Sequence, residues 1–250
     1  MEHDDRDARL SRISTQWTMI FRAHRGGAPE EVAAAQAALM LRYAGAVHRY
    51  LLGALRDPDA AEELDQEFAL RFLRGDFHRA DPSKGRFRDF VKRAVRNLVV
   101  DHHRKRARPS VALADAGIDP ADPSADDHDR RFAESWRKEL LAHAWAALES
   151  YQEQTKRPYY LVLKHRVDHP EQRSHQIAGV LSARLGKPLA AGWVRQTLHR
   201  ARDQFVGFLL EEVATSLDNP SPDDLQQELA DLRLLEYCRP VLERDAERKG

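Results

Sequence analysis

Apolar residues recur at helical spacing in nearly every patterned segment of this chain, and no segment sustains the alternation of a half-buried strand. The clearest case is Phe87, Phe90, Val91, Ala94, Val95 and Leu98, which follow the i, i+3, i+4, i+7 rule on one face. A chain patterned this way can bury its apolar surface only by packing helix on helix, so the expected fold is all-α. Its 250 residues allow one large domain or two small helical ones.

Start and stop signals divide the pattern. Residues 1–29 read as a leading helix carrying Trp17, Ile20, Phe21 and His24 and ending at Arg25-Gly26-Gly27. A second helix runs from about Glu30 to Arg56, with Leu39, Tyr43, Val47, Tyr50 and Leu51 on its stripe. Asp57-Pro58 stops it and opens a third, Asp59 to about Gly75, which turns Leu64, Phe68 and Phe72 inward. After the loop Asp81–Gly85 comes the helix of Phe87 and Val91, closing a first domain over 30–108. Residues 109–130, rich in Pro and Asp and without period, read as a flexible linker. A second domain follows over 131–210. It comprises a helix of about twenty residues through Phe132, Trp136, Leu140, Ala144 and Leu148, a helix over Pro158–Val167, one capped by Ser174, and a last one through Val194, Leu198 and Phe205. Residues 211–250 read as an acidic helical extension, with Ser221 as N-cap and Pro222 in the first turn.

Lys and Arg total 40 and Asp and Glu 40, so the net charge names no partner, but the charges are segregated. Lys84–Arg108 holds ten basic residues against Asp89 and Asp101, while residues 109–129 hold six Asp and no Lys or Arg. Residues 171–208 are again basic, and 209–250 carry eleven acids against five bases. Two basic modules therefore flank an acidic connector and precede an acidic tail. Arg88, Lys92 and Arg96 stack at i, i+4 and i+8, a row of cations beside a buried face, suited to a polyanion or simply to solvent. Cys238, the one cysteine, excludes an internal disulfide and reads as a buried, inert thiol. With no apolar run near membrane-spanning length and no basic-then-apolar leader, the expectation is a soluble cytoplasmic protein.

Ser174–Phe208 has the order helix, Gly/Pro turn, basic helix. A helix-turn-helix has this order, and so does a plain helical hairpin. In the first reading Trp193, Arg195, Gln196 and His199 would face base edges, with Arg200 and Arg202 placed for phosphates. Asp101-His102-His103 offers metal-ligating side chains, but the Arg104-Lys105-Arg106 run beside it opposes a cation site. The expectation is no metal, no cofactor and no catalytic residue.

Arg42-Tyr43 through Asp57-Pro58-Asp59-Ala60-Ala61-Glu62-Glu63-Leu64-Asp65-Gln66-Glu67-Phe68, then Gly85-Arg86-Phe87-Arg88-Asp89-Phe90 and Arg96-Asn97-Leu98 to Arg104-Lys105, resembles region two of bacterial RNA polymerase sigma factors. Gln176-Ile177-Ala178 and Gly192-Trp193-Val194-Arg195-Gln196-Thr197-Leu198-His199-Arg200-Ala201-Arg202 is similar to their region four. The ordered pair with a linker between looks like the short two-domain extracytoplasmic-function (ECF) type.

The resemblance implies that Asp59, Glu62, Glu63, Gln66 and Glu67 dock on the clamp coiled coil of the largest subunit of core polymerase. It implies that Ser83, Lys84, Arg86, Phe87, Arg88, Lys92, Arg96, Asn97, Asp101, Arg104 and Lys105 hold the opened minus-10 element of promoter DNA, where an unstacked base is the easier one to read. Trp193, Arg195, Gln196, Thr197, His199, Arg200 and Arg202 would meet the minus-35 duplex. An anti-sigma protein is a further partner the type admits. Three features depart from the family pattern: about six extra residues between Ile177 and Val194, Trp193 together with Thr197 where a basic residue is common, and the 211–250 extension. A packed helix, or an acidic segment competing with DNA for a basic surface, would each account for that extension. The competing function is a helix-turn-helix regulator acting on duplex DNA without polymerase; a metal phosphoesterase using His102 and His103 is a more distant one.

Overall fold

The computed structural model describes residues 29–74, 86–106, 123–217 and 220–247, and every regular element among them is a helix. The expected leading helix of residues 1–29 falls almost wholly outside the described residues, as do Ser83 and Lys84. In chain order the helices are α1 (Pro29–Leu55), α2 (Pro58–Leu73), α3 (Phe87–Arg106), α4 (Pro123–Thr155), α5 (Tyr159–Asp168), α6 (Ser174–Leu185), α7 (Ala191–Thr215), α8 (Pro222–Asp231) and α9 (Leu235–Glu247). They fall into two compact units. The first comprises α1, α2, α3, α4 through Glu139, and Val213–Leu232 with α8; the second comprises α4 from Leu140, α5, α6, α7 through Glu212, and α9.

These boundaries differ from the expected ones. The linker assigned to 109–130 gives up its last eight residues to α4, which begins at Pro123. Proline is well suited to a first helical turn, where its missing N–H leaves nothing unpaired. The unit boundary lies between Glu139 and Leu140 inside that helix, so 131–139 joins the first unit. The extension is divided as well, α8 going to the first unit and α9 to the second.

The reason that 131–139 joins the first unit lies in aromatic packing. Trp136 is fully buried and stacks flat on Tyr43 of α1, with centroids 4.6 Å apart and planes 1° from parallel. Phe87 of α3 tilts against both rings, 5.2 Å from Tyr43 and 6.0 Å from Trp136. One turn earlier on α4, Phe132 meets Tyr50 edge-on at 5.5 Å. Aromatic pairs of this kind add about 0.5–1.5 kcal/mol each beyond the area they bury. Next to the rings, Arg49 of α1 pairs with Glu139, and its Nη2 also reaches the Ser135 carbonyl at 3.4 Å. Gly45 permits that approach, because a Cβ there would lie 2.7 Å from Glu139 Oε2.

In the second unit Trp145 meets Tyr160 edge-on at 5.8 Å and Phe205 at 4.8 Å, which ties α4, α5 and α7 together. Tyr237 of α9 contacts Phe205 at 6.2 Å, and Arg244 of the same helix forks onto Asp203 at 2.6 and 3.0 Å. Cys238 is fully buried, as expected, and burial pushes its thiol up to about 12. Three helices end on a cation in the left-handed region instead of a glycine: Arg56 after α1 (φ 55°), Lys156 after α4 (φ 58°) and Arg233 after α8 (φ 57°).

Trp136→Ala removes the central ring of the first unit, and truncations of this kind cost about 3–5 kcal/mol. Hydrogen–deuterium exchange should therefore quicken in peptides from α1 and α3; unchanged exchange there would show that the stack contributes little. Cys238 should not react with a chromogenic disulfide reagent at pH 8 until the chain is unfolded, and rapid labelling of the native protein would contradict the seating of α9.

Candidate nucleic-acid interface

α2 owes its start to Asp57, whose Oδ1 accepts from the N–H groups of Asp59 (3.2 Å) and Ala60 (3.3 Å) while Pro58 occupies the first helical turn. The Ala60 N–H, with Arg106 nearby, holds the Asp57 carboxyl below the usual range. Ala60, Ala61, Leu64, Phe68 and Phe72 are buried, so Asp59, Glu62, Glu63 and Gln66 face solvent together. Glu67 is half-buried and accepts from Arg71 Nε at 2.7 Å, an i, i+4 pair that lowers its pKa. Leu70 and Leu73 continue the same face, exposed at 45% and 53%. The result is an acidic surface ending in apolar side chains, suited to a protein partner that is basic at one end and apolar at the other.

The faces of α3 are allotted differently from the expectation. Phe87, Arg88, Val91, Val95, Leu98 and Val99 are buried. The row Arg88, Lys92, Arg96 is therefore not a free strip of cations. Arg88 Nε lies 3.3 Å from Glu228 Oε1 and its Nη2 3.5 Å from Asp231 Oδ2 of α8, and Lys92 Nζ is 3.0 Å from Asp129 of α4. Arg86, just before the helix, places Nη1 2.6 Å from both Glu228 Oε2 and Asp231 Oδ2. Phe87, expected at the DNA, belongs to the ring cluster instead, and Arg88, at 8% exposure, is covered in this conformation.

A neighbouring row stays outward. Arg93, Asn97, Arg104 and Lys105 are exposed, and Asp101 lies part-exposed among them, 4.0 Å from Arg71 of α2. Arg93, Asn97, Asp101 and Arg104 share one face by helical spacing, a cation–amide–acid–cation order that can contact both backbone phosphates and base edges. Arg93 was absent from the expected set, although its place four residues before Asn97 could have identified it.

Electrostatics at Glu228 is unusual. The side chain is fully buried, and burial holds its carboxyl above the ordinary range although Arg88 and Arg86 oppose that shift. Asp231 goes the other way: burial raises it, but hydrogen bonds from Gln227 and Arg86 outweigh that and leave it low. The C-terminal carbonyl of this segment, Leu232 O, accepts from Arg137 of α4 at 3.4 Å. Leu229 and Leu232 are buried beside it.

In the second unit, the turn between α6 and α7 is built by Gly186 in the left-handed region (φ 65°) and by Ser182. Ser182 Oγ donates to Ala178 O at 2.6 Å and accepts from Leu189 N at 2.9 Å. The N-cap position falls on Arg173, one residue before the expected Ser174; its N–H donates to Gln176 Oε1 at 2.8 Å. α6 and α7 bury Ile177, Leu181, Val194, Leu198 and Ala201, and Arg195, Gln196, His199, Arg200 and Arg202 are exposed. His199 lies 3.1 Å from Asp203, the acid that also holds Arg244. Trp193 is part-covered, with Lys187 Nζ 5.9 Å from its ring. Thr197 is buried at 7% exposure, so it supports the helix from below and presents nothing to a groove.

A protein-family model described as Sigma-70 region 2 matches residues 39–109. α2, α3 and the part of α1 from residue 39 are thus similar to region 2 of the sigma-70 factors. No curated protein matches the chain, and no solved structure does. No helix among the described residues is long and apolar enough to cross a membrane.

Arg88→Ala would leave Glu228 buried with only part of its compensating charge, a change that costs about 3–5 kcal/mol at buried pairs. Amide exchange across Leu225–Asp231 should quicken in that variant; protection equal to the parent would mean that α8 is held by its leucines alone.

Proposed function

We propose that this chain is a sigma factor of the short two-domain, ECF type, which binds core RNA polymerase and directs promoter recognition and opening. The observation that carries the reading is where the Sigma-70 region 2 match falls: on helices whose second member turns Asp59, Glu62, Glu63 and Gln66 outward and whose third member exposes Asn97 and Arg104. In this reading the α2 face, with Glu67 at its edge, docks on the clamp coiled coil of the largest polymerase subunit. Asn97, Asp101, Arg104 and Lys105, together with Ser83 and Lys84, hold the opened minus-10 strand. Phe87 sets the position of that surface from inside the core.

Arg195, Gln196, His199, Arg200 and Arg202 take the minus-35 duplex, since the exposed face of the second helix is the one such motifs place in the major groove. The protein lends specificity and does no chemistry itself, works in the cytoplasm, and is open to restraint by an anti-sigma protein. A regulator acting on duplex DNA alone is the second reading, and the exposed polar face of α7 would serve it equally. The acidic face of α2 separates the two, because such a regulator has no use for it.

Purified core polymerase should capture the chain, and Glu62→Lys/Glu63→Lys should abolish capture while leaving duplex binding intact. Failure of the parent to bind core would hand first place to the regulator. Arg195→Ala and Arg202→Ala should each weaken duplex binding by about 1–3 kcal/mol where a base is contacted, or reduce the salt slope by about 1 where a phosphate is. Affinity unchanged at every salt concentration would remove α7 from the interface.

A further inference from the structure

We propose that Arg86 and Arg88 form a phosphodiester site for single-stranded DNA, and that Glu228 and Asp231 of α8 occupy it in the free protein as a built-in competitor. The inference rests on reading α1–α3 as the part that meets the opened promoter strand, and it adds how access to that strand is controlled. Four contacts of 2.6, 2.6, 3.3 and 3.5 Å place carboxylate oxygens on the two guanidinium groups. Asp231 Oδ2 is shared by both arginines and Glu228 spans them with its two oxygens, the same anionic oxygens on fork-shaped donors that a nucleic-acid backbone offers.

The competitor is constructed as a separable piece. α8 carries Asp223, Asp224, Glu228 and Asp231 and no basic residue, so the seat on α3 is its electrostatic complement. Its first turn is self-sufficient: Ser221 Oγ accepts from Asp224 N at 3.1 Å, and Ser221 N donates to Asp224 Oδ2 at 3.0 Å, with Pro222 in the first turn. The helix therefore keeps its cap when it leaves.

Exchange of carboxylate for phosphate is also all-or-none. Glu228 is wholly enclosed, with Arg86 and Arg88 as its cationic neighbours, so a phosphate that takes both arginines strands a buried charge unless α8 departs. Burial already holds that carboxyl above its ordinary range, which makes the docked state easier to leave. Leu229 and Leu232, both buried, provide the apolar part of the seat and keep α8 in place without DNA.

The test uses the full-length chain and a fluorescent single-stranded oligonucleotide read by anisotropy across a salt series. Glu228→Gln/Asp231→Asn should bind about tenfold more tightly than the parent. Its salt slope should be steeper by about 1.4, corresponding to two added phosphate contacts on a single strand. Adding Arg86→Gln/Arg88→Gln to that variant should cancel the gain. In the parent, the oligonucleotide should speed amide exchange across residues 222–231. Equal affinity with and without the two carboxylates, or protection of 222–231 by the oligonucleotide, would overturn the proposal. Core capture is measured on the same proteins. Capture with no gain in strand affinity rejects the competitor and keeps the sigma reading, whereas a gain without capture rejects the sigma reading and keeps the competitor.

Discussion

The flat stack of Trp136 on Tyr43 is the contact on which the first unit depends. A helical bundle as small as α1–α3 has little interior of its own, and its largest fully buried side chain is supplied by α4. Once Trp136 is in place, the next turns of α4 have few alternatives: Phe132 must meet Tyr50, and Glu139 must find Arg49 across the gap that Gly45 leaves open. The same helix brings Asp129 to Lys92 and Arg137 to the end of α8. The electrostatic arrangement around α3 thus follows from an apolar contact made elsewhere.

That arrangement gives α3 two different charged rows. One, through Arg88 and Lys92, is held by acids from α8 and α4; the other, through Arg93, Asn97 and Arg104, lies exposed at the surface. A surface on which Arg86, Arg88 and Lys92 are already paired binds nucleic acid less tightly than the ten basic residues of Lys84–Arg108 suggest. On the proposal made above, what it gains is dependence on the state of α8.

Much of this was legible in the chain. Helical period placed α1, α2 and α5 to within about two residues at each end and showed that α3, α6 and α7 exist, because each has an apolar stripe bounded by Pro, Gly or a capping side chain; it did not show that α7 continues past 210 to Thr215. The acidic face of α2 was equally plain, since Asp57-Pro58 fixes where the helix begins and so which side faces out. Period does not reveal which core a stripe enters. Phe132 and Trp136 continue the pattern of Leu140 and Leu148 without a break, so nothing local shows that the core they fill changes at Glu139. Nor does it separate a solvated cation from a paired one: Arg88 and Arg93 look alike in sequence, and only Glu228, 140 residues after the first, tells them apart. Thr197 was misplaced for a simpler reason, as it lies next to the exposed Gln196 but one step round the helix toward the buried side.

Arg56, Lys156 and Arg233 carry a last consequence. Each closes a helix in a conformation that costs a residue with a Cβ about 1 kcal/mol or more relative to glycine. Their N–H groups still close the turn in two of the three cases, at 2.9 Å for Arg56 to Leu52 O and 2.8 Å for Lys156 to Gln152 O. A positive side chain beside the negative end of a helix recovers some of the difference. The chain has thus settled for ends that are charged instead of relaxed, and its margin against unfolding is narrower than its architecture permits.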